Sequence, residues 1–467
     1  MRALPKAVPT TKTRSPGADV VSFTAPYEVP PSWQWISLPH LGTVDRGRSR
    51  HRPRNDPRLY GGPYPFIQTG DVRASQGRVT TFTQTYSEEG LAQSRLWPKG
   101  TLCITIAANI AETAILDIDA CFPDSIVGFL PAKDVCNAHF VEFFIRTVKA
   151  DLAAFAPATA QKNINLETLK VLHVPCPPLP EQDQIITKLN SLFARSKNAR
   201  EELVRVARLI ERYKQGILAS AFRGDLTADW RRTNSTVSGM DFLNSEGIDC
   251  LPNDGLHRLP AGWCWVKAGA LCSIKSGVTL GKKRSPDVKL VERPYLRVAN
   301  VQRGWLNLEE IKTIPVTEKE ASELYLQPGD VLMNEGGDRD KLGRGWVWEG
   351  QIPHCIHQNH VFRLRPKTGE VPAKYISFYA NEFGQDYFLR EGKQTTNLAS
   401  ISQSKISGLP IPISSPQEMA RIVTDIESAF TRINRVAAET ACALALLDRL
   451  DEATLAKAFR GELHPND

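Results

Sequence analysis

Six arginines are crowded into thirteen residues: Arg46, Arg48, Arg50, Arg52, Arg54 and Arg58. Gly47 and Pro53 interrupt them. Such a stretch cannot build a core, and guanidinium groups at this density suit contact with phosphates. A second basic cluster, Lys282, Lys283 and Arg284, stands at the matching place in the second half of the chain. Both clusters follow a Trp-x-Trp segment (Trp33 and Trp35; Trp263 and Trp265) and precede a Pro-aromatic one (Pro65-Phe66; Pro294-Tyr295). A shared location in otherwise diverged sequence favours a shared task over two unrelated solvated loops.

Side chains able to read base edges recur in the same two regions. Gln68, Thr69, Asp71 and Arg73 in the first half correspond to Arg297, Asn300, Gln302 and Arg303 in the second. Gln161, Lys162 and Asn163 pair in kind with Thr395, Thr396 and Asn397. Arginine can bond guanine bidentately, and asparagine or glutamine can bond adenine. For any one of them, turn or surface duty is the commoner use.

Catalytic patterns are sparse. There is no G-x-x-x-x-G-K-[ST] loop for nucleotide phosphates. No Gly-rich strand–turn–helix suits a methyl donor, and no Asp/Asn-Pro-Pro-aromatic tetrad suits a flipped adenine. Glu391-Gly392-Lys393 forms an E-x-K which, with Asp330 as a distant carboxylate, would describe a self-contained metal-dependent nuclease. The first half has Ala158-Thr159-Ala160 in that region, so the pattern is not repeated. His357 and His360 lack a third ligand and run straight into a strand-like Val361-Phe362-Arg363-Leu364; no metal site is expected.

What must position these residues is a duplicated framework. Adding 237 to each number from Glu181 to Leu226 lands on Glu418 to Leu463 without a gap. The copies end on Ala221-Phe222-Arg223-Gly224-Asp225-Leu226 and Ala458-Phe459-Arg460-Gly461-Glu462-Leu463. Steps of 4 and 3 pick out Ile185, Leu189, Leu192, Leu203, Val206 and Ile210 in the first copy. In the second they pick out Ile422, Ile426, Ile433, Val436, Leu447 and Leu450. Apolar spacing near 3.5 residues is a coiled-coil seam. Pro180 suits a first helical turn, and Gly224 and Gly461 suit a left-handed C-terminal cap. Each helix of some 40 residues spans roughly 60 Å. The first copy holds 9 Lys+Arg and 6 Asp+Glu, the second 6 and 8, so opposite charge favours pairing, weakly. The competing arrangement has each helix packing only on its neighbouring domain.

Before each helix lies a variable globular region of mixed short runs. Gly100–Ile110 and Val361–Leu364 read as strands, and Phe140–Leu152 and Ala373–Tyr387 as helices. The expected organisation is a flexible tail (1–28), a first α+β domain (29–178), a long helix (179–226), a polar linker (227–258), a second α+β domain (259–413) and a second long helix (414–463).

Composition agrees with this plan. A chain of 467 residues exceeds one ordinary domain. The formal charge of +7 is mild but suits a polyanionic partner, because residues 1–58 carry 10 Lys+Arg against 4 Asp+Glu. Nine scattered cysteines without a C-x-x-C pair predict free thiols in a reducing compartment. No apolar run reaches membrane-spanning length, and the N-terminus lacks an apolar signal core. A soluble cytoplasmic protein is expected.

At this point the chain resembles the DNA-specificity subunit of type I restriction–modification systems over about residues 29–463. The resemblance rests on the tandem order and on LPAGWCWV (259–266), CPPLPEQ (176–182), AFRGDL (221–226) and AFRGEL (458–463). The first half departs from the pattern with Val-Pro-Pro-Ser-Trp at 29–33, and Ser415-Pro416-Gln417-Glu418 stands where Pro178-Leu179-Pro180-Glu181 is expected. The resemblance implies two target-recognition domains, each reading half of a split double-stranded DNA site, with the two helices paired antiparallel as a spacer. It implies a non-catalytic chain that recruits two modification (methyltransferase) subunits and further restriction subunits. S-adenosylmethionine, ATP and Mg are then expected on those partners and none on this chain.

Overall fold

The structure is a computed structural model. It describes residues 23–463 apart from 76, 108, 155–163, 235–237, 254, 282–286, 338–340, 392 and 395–398. Two compact units emerge: residues 1–203 together with 442–467, and residues 204–441. The chain is α+β throughout, and two 44-residue helices, Leu179–Phe222 and Pro416–Phe459, each contribute a half to both units.

In the first unit, β1 (Gln34–Ser37) carries the first Trp-x-Trp segment. A five-stranded sheet is built from β2 (Gly42–Arg46), β3 (Arg78–Val79), β4 (Leu102–Thr105), β5 (Thr113–Leu116) and β6 (Ile126–Pro131), in the order β2-β6-β4-β5-β3. All its pairings are antiparallel except β5 with β3. Helix α1 (Ala138–Ala154) packs on this sheet. The last strand, β7 (His173–Cys176), pairs antiparallel with β1, Gln34 opposite Cys176, and leads directly into the first long helix. The domain therefore opens and closes at one place, which is where the helix begins.

The second unit follows the same plan. Its opening strand β8 (Cys264–Lys267) will pair with its last, and β9 (Cys272–Ser276), β10 (Val331–Asn334), β11 (Gly345–Val347) and β12 (Val361–Pro366) form a sheet ordered β9-β12-β10-β11. The closing strand, β13 (Pro410–Ile413), pairs antiparallel with β8, Cys264 opposite Ile413. The expected linker at 227–258 is more structured than its polar composition predicts. It holds two short helices, α2 (Ala228–Thr233) and α3 (Gly239–Ser245), and α3 buries Phe242 and Leu243. The helix following the sheet, α4, spans Ala373–Glu391. Cys250 and Cys264 form a disulfide with Cα atoms 5.8 Å apart, a correction to the expectation of free thiols throughout; seven other cysteines are free.

Both arrangements weighed for the long helices occur together. The first unit's core joins Trp33, Phe129, Phe140 and Phe144 to Ile185 and Leu189 at the start of the first long helix, and to Leu455, Ala458 and Phe459 at the end of the second. In the second unit, Trp263, Trp265 and Tyr375 meet Phe222 at the end of the first helix and Met419, Ile422 and Ile426 at the start of the second. Each domain thus holds the start of its own helix and the end of the other. Within each unit the helix halves run antiparallel. Arg200 bonds Asp448 and Asp451, both at 2.8 Å, while Ile185 shares a cavity wall with Ala458. Likewise Ile210 packs beside Ile433, Lys214 lies 6.0 Å over Phe430, and Thr227 reaches Glu418.

The repeated ending is explained by this packing. Phe222 stands edge-on to Tyr375 and Tyr379, at 5.0 and 5.1 Å. Phe459 sits against Phe140 and Phe144, at 5.0 and 5.3 Å. Gly224 and Gly461 turn left-handed, with φ of 80° and 73°. A methyl group there would also meet the ring of Pro260 or Pro30 at 2.5 or 2.3 Å.

The seam departs from the heptad in two places. Val436 and Leu450, expected to point inward, are 45% and 55% exposed. Ala437 and Asp451, one residue further on, are half-buried instead. A helix of 3.6 residues per turn drifts from a 3.5-residue repeat, and the drift has passed the inward position to the next residue. Ile185, Leu189, Ile210, Ile422, Ile426 and Ile433 are buried; Leu192, Leu203, Val206 and Leu447 are half-buried.

Candidate nucleic-acid interface

The arginine-rich stretch continues outward from β2. Residues 46–50 keep a strand's alternation: Arg46, Arg48 and Arg50 are exposed, while Gly47 and Ser49 face inward. Gly47 lies so close to Phe122 and Pro123 that a Cβ would meet their carbonyl oxygens at 2.3 Å, and backbone bonds from Gly47 to Ile126 and Arg48 to Phe122 fasten it there. Gln93 accepts from the amides of Arg50 and His51. These anchors hold three guanidinium groups on one outward face.

The remaining arginines are used within the loop. Arg52 donates to the carbonyls of Ser49 and His51 at 2.7 and 2.8 Å. Arg54 forks onto Asp124 at 2.9 and 3.0 Å. Arg58 pairs with Asp56 at 2.8 Å and holds that carboxyl well below the usual range. Arg48 has a loose contact with Asp45 at 3.8 Å. Among the described residues, no ion pair engages Arg46 or Arg50. The stretch divides into an outward set, 46, 48 and 50, and a set that shapes the loop, 52, 54 and 58.

Base-reading candidates fare unevenly. Gln68 starts the short helix Thr69–Ala74; its amide N–H is taken by Asp71 at 2.8 Å, and its side chain donates to Gln84 at 2.5 Å. Thr69 is half-buried and Arg73 exposed on that helix. In the second unit Asn300 is buried, contrary to its expected exposure to a ligand. Its oxygen accepts from Arg297 N at 2.9 Å, and its NH2 donates to the carbonyls of Asn307 and Glu310. Asn300 is a turn-former with no capacity left for a base. Arg297 is held by Glu310 at 3.3 Å, Gln302 bonds Ala299, and Arg303 turns back to the carbonyl of Asn381. Gln161, Lys162, Asn163, Lys282, Lys283, Arg284, Thr395, Thr396 and Asn397 lie outside the described residues.

The nuclease reading finds no support. Asp330 is 1% exposed, its two oxygens are gripped by Arg365 at 2.7 and 2.8 Å, and Gln327 N donates to it as well. Glu391 pairs with Lys405. His357 is fully buried, with its Nδ1 bonded to the carbonyl of Val361 at 2.7 Å, and burial pushes its pKa down to about 4. His360 pairs with Glu335. Among the described residues no cluster of three metal-ligating side chains forms.

Three features went unread in the sequence. Trp33 donates its indole N–H to Glu181 at 2.9 Å, and Trp263 does the same to Glu418; all four residues lie in the matched repeats, which was the available signal. Trp305 is 54% exposed on a hairpin turned by Arg303-Gly304, a turn dipeptide that could have been recognised. Phe82 is 41% exposed beside Gln84, and no pattern marks it. Among the described residues no helix is long and apolar enough to cross a membrane.

Comparison with known proteins places this geometry in context. The family model described as "Type I restriction modification DNA specificity domain" matches residues 30–205. The EcoKI type I restriction enzyme specificity subunit of Escherichia coli K12 is 23% identical over 93% of this chain and 90% of its own length. The StySPI specificity subunit of Salmonella potsdam is 26% identical with the same coverage. Among solved structures, one from a study of complex assembly and conformational transition of the type I R-M system superposes with a TM-score of 0.68 at 19% identity, covering 94% of this chain and all of the other. The HsdS subunit of Thermoanaerobacter tengcongensis gives 0.57 at 18%, covering 94% and 99%.

Proposed function

We propose that this chain, which belongs to the type I restriction–modification DNA-specificity family, is the non-catalytic reader of a two-part duplex DNA target. Each globular unit takes one half-site, and the paired long helices set the gap between them. One observation carries the reading above the rest: the same domain plan occurs twice, with each strand pair β1–β7 and β8–β13 delivering its domain onto a long helix that the other domain also grips. A duplicated reader on shared helices suits a split site, as half-site spacing follows protein geometry.

In this reading Arg46, Arg48 and Arg50 neutralise phosphates, which positions the domain without specifying sequence. Thr69 and Arg73 lie close enough in sequence to Gln68 to form one base-reading group. The chemistry belongs to partners in the cytoplasm: two modification subunits that methylate adenine with S-adenosylmethionine, and restriction subunits using ATP and Mg. Exchange of residues 29–178 for the matching region of a relative tests this. Sequencing of methylated adenines in the host should show one half of the target changed and the other kept. A motif altered in both halves, or DNA cleavage by the purified chain with Mg²⁺ alone, refutes it.

A further inference from the structure

Helix α1 of the first unit and α4 of the second are equivalent, and they differ at one position beside the same pair of rings. Adding 235 to the numbers of α1 gives those of α4. Phe140 and Phe144, which flank Phe459, become Tyr375 and Tyr379, which flank Phe222. Phe143 meets Phe193 of the first long helix at 5.6 Å, and Phe378 meets Phe430 of the second at 5.8 Å. In the first unit Arg146 covers this pair. Its guanidinium lies 5.4 Å over Phe143 and 5.1 Å over Phe193. In the second unit the same position is Asn381. Its short side chain is spent on the backbone of Gly345 and the carbonyl of Ser377.

What Arg146 covers in the first unit is open in the second. A cavity of about 670 Å³ is lined there by Phe378, Phe430, Trp346, Trp305 and Glu382, a size that takes a drug-sized ligand. Glu382 stands where the first unit has Thr147. It is half-buried; burial pushes its carboxyl up, while Arg303 pulls it down. Among the described residues no hydrogen bond or ion pair holds this carboxylate. The other charged groups of the wall are engaged. Glu427 is held by Lys374 at 2.6 Å, and Glu211 faces Lys214 at 3.6 Å. Lys214 comes only to 6.0 Å from the Phe430 ring, and Arg303 donates to the carbonyl of Asn381.

We propose that this cavity receives an arginine side chain from a partner protein. Its guanidinium lies over Phe378 and Phe430, as Arg146 lies over Phe143 and Phe193, and its charge rests on Glu382. The internal repeat is the first argument, because the first unit shows which group sits on these two rings. Charge is the second: the carboxylate without a mate is one that the first unit lacks. Cation type is the third. A guanidinium is planar, stacks on aromatic faces and is more weakly hydrated than an ammonium, so it gives up water for this wall more readily. Size is the fourth. The cavity exceeds one side chain, so the residues flanking the arginine fit along the exposed ring of Trp305, and a chain segment suits it better than a free amine.

Fluorine NMR of the full chain labelled with 5-fluorotryptophan tests this. The Trp305 and Trp346 signals are identified by their loss in Trp305→Phe and Trp346→Phe. The probe is the peptide acetyl-Gly-Arg-Gly-amide, which should shift both signals saturably with a Kd on the order of a millimolar. The same peptide with citrulline, equal in shape but uncharged, should bind at least about tenfold more weakly. Glu382→Gln should weaken the arginine peptide at least about threefold, the scale of a partly exposed ion pair. Asn381→Arg supplies the first unit's guanidinium from within and should abolish the shift. Circular dichroism establishes that each variant is folded, and the citrulline comparison needs no variant. Absence of a saturable shift overturns the proposal, as does an equal response to the two peptides or insensitivity to both variants. Tighter binding of free arginine than of the peptide overturns it in favour of a small-molecule site. Movement of the Trp305 signal by a DNA duplex but not by the peptide overturns it by assigning the hairpin to nucleic acid.

Discussion

The division of the arginine stretch into an outward and a loop-shaping set makes a quantitative difference in salt dependence. Take the triple variant Arg46→Ala, Arg48→Ala, Arg50→Ala. These side chains are exposed, and their only ion pair among the described residues is the 3.8 Å contact of Arg48 with Asp45, so the change should leave the fold intact. If each touches one phosphate, the slope of log K against log salt falls by about 0.9 per contact, or about 2.7 in all. Over a fourfold rise in salt the parent should then lose roughly 40-fold more affinity than the variant. The comparison variant is Arg52→Ala with Arg54→Ala. Those guanidiniums already serve Ser49, His51 and Asp124, so they should change the slope by less than about one contact, although the loosened loop weakens binding. Fluorescence anisotropy of a labelled duplex at several salt concentrations measures both slopes. An unchanged slope in the triple variant, or a larger change in the comparison pair, refutes the assignment of phosphate contacts to the outward face.

Other consequences are equally open to measurement. Phe459→Ala removes a fully buried ring from between Phe140 and Phe144 and should cost about 3–5 kcal/mol of stability in the first unit; a denaturation curve within 1 kcal/mol of the parent contradicts the packing. Gly224→Ala, at φ of 80° with Pro260 in the way, should cost on the order of 1–3 kcal/mol, whereas an exposed helical Gly216→Ala, with open space around it, should be neutral or stabilising. His357 keeps its proton off down to about pH 4 when folded, while the unfolded chain takes one up near pH 6.5. Its burial therefore lowers stability as pH falls from about 6.5 to 4, by at most about 1.4 kcal/mol per pH unit. His357→Asn should flatten that part of the stability–pH curve relative to the parent, and parallel curves contradict this. One heptad inserted after Val206 and one after Ala443 should lengthen the spacer by roughly 10 Å, or about three base pairs of preferred gap, with half-site sequences unchanged; retention of the original gap in a methylation assay on a gap-randomised library rules out the ruler.

The framework was legible because it is written twice. Repeated heptads, a proline at a helix start and Gly224 and Gly461 at helix ends report local backbone requirements that do not depend on tertiary partners. The drift that turns Val436 and Leu450 outward was not legible, because it accumulates from the small mismatch between 3.5 and 3.6 residues per turn. The linker misled for another reason: Phe242, Leu243, Ile248, Leu251 and Leu256 are scattered without periodicity through a polar stretch, and only the core they pack on reveals them as anchored. Asn300 illustrates the limit for the interface. Its residue type suits an adenine edge and a turn equally well, and the competition is settled by three backbone groups within ten residues of it. The outward and inward arginines were likewise indistinguishable by type; Gly47 and Ser49 between them carried the alternation that sorts the first three.

The exchange of helix ends between the two domains has a consequence for biosynthesis. The second unit is one uninterrupted segment, residues 204–441, whereas the first needs residues 442–463 to complete its core. On the ribosome the order of maturation is therefore reversed relative to the usual N-terminal-first sequence. The first domain emerges early but keeps Phe140 and Phe144 without Phe459 until nearly the whole chain has been made. A nonsense mutation near the 3′ end of the reading frame would injure the domain encoded at its 5′ end, leaving the intervening one able to form its own core.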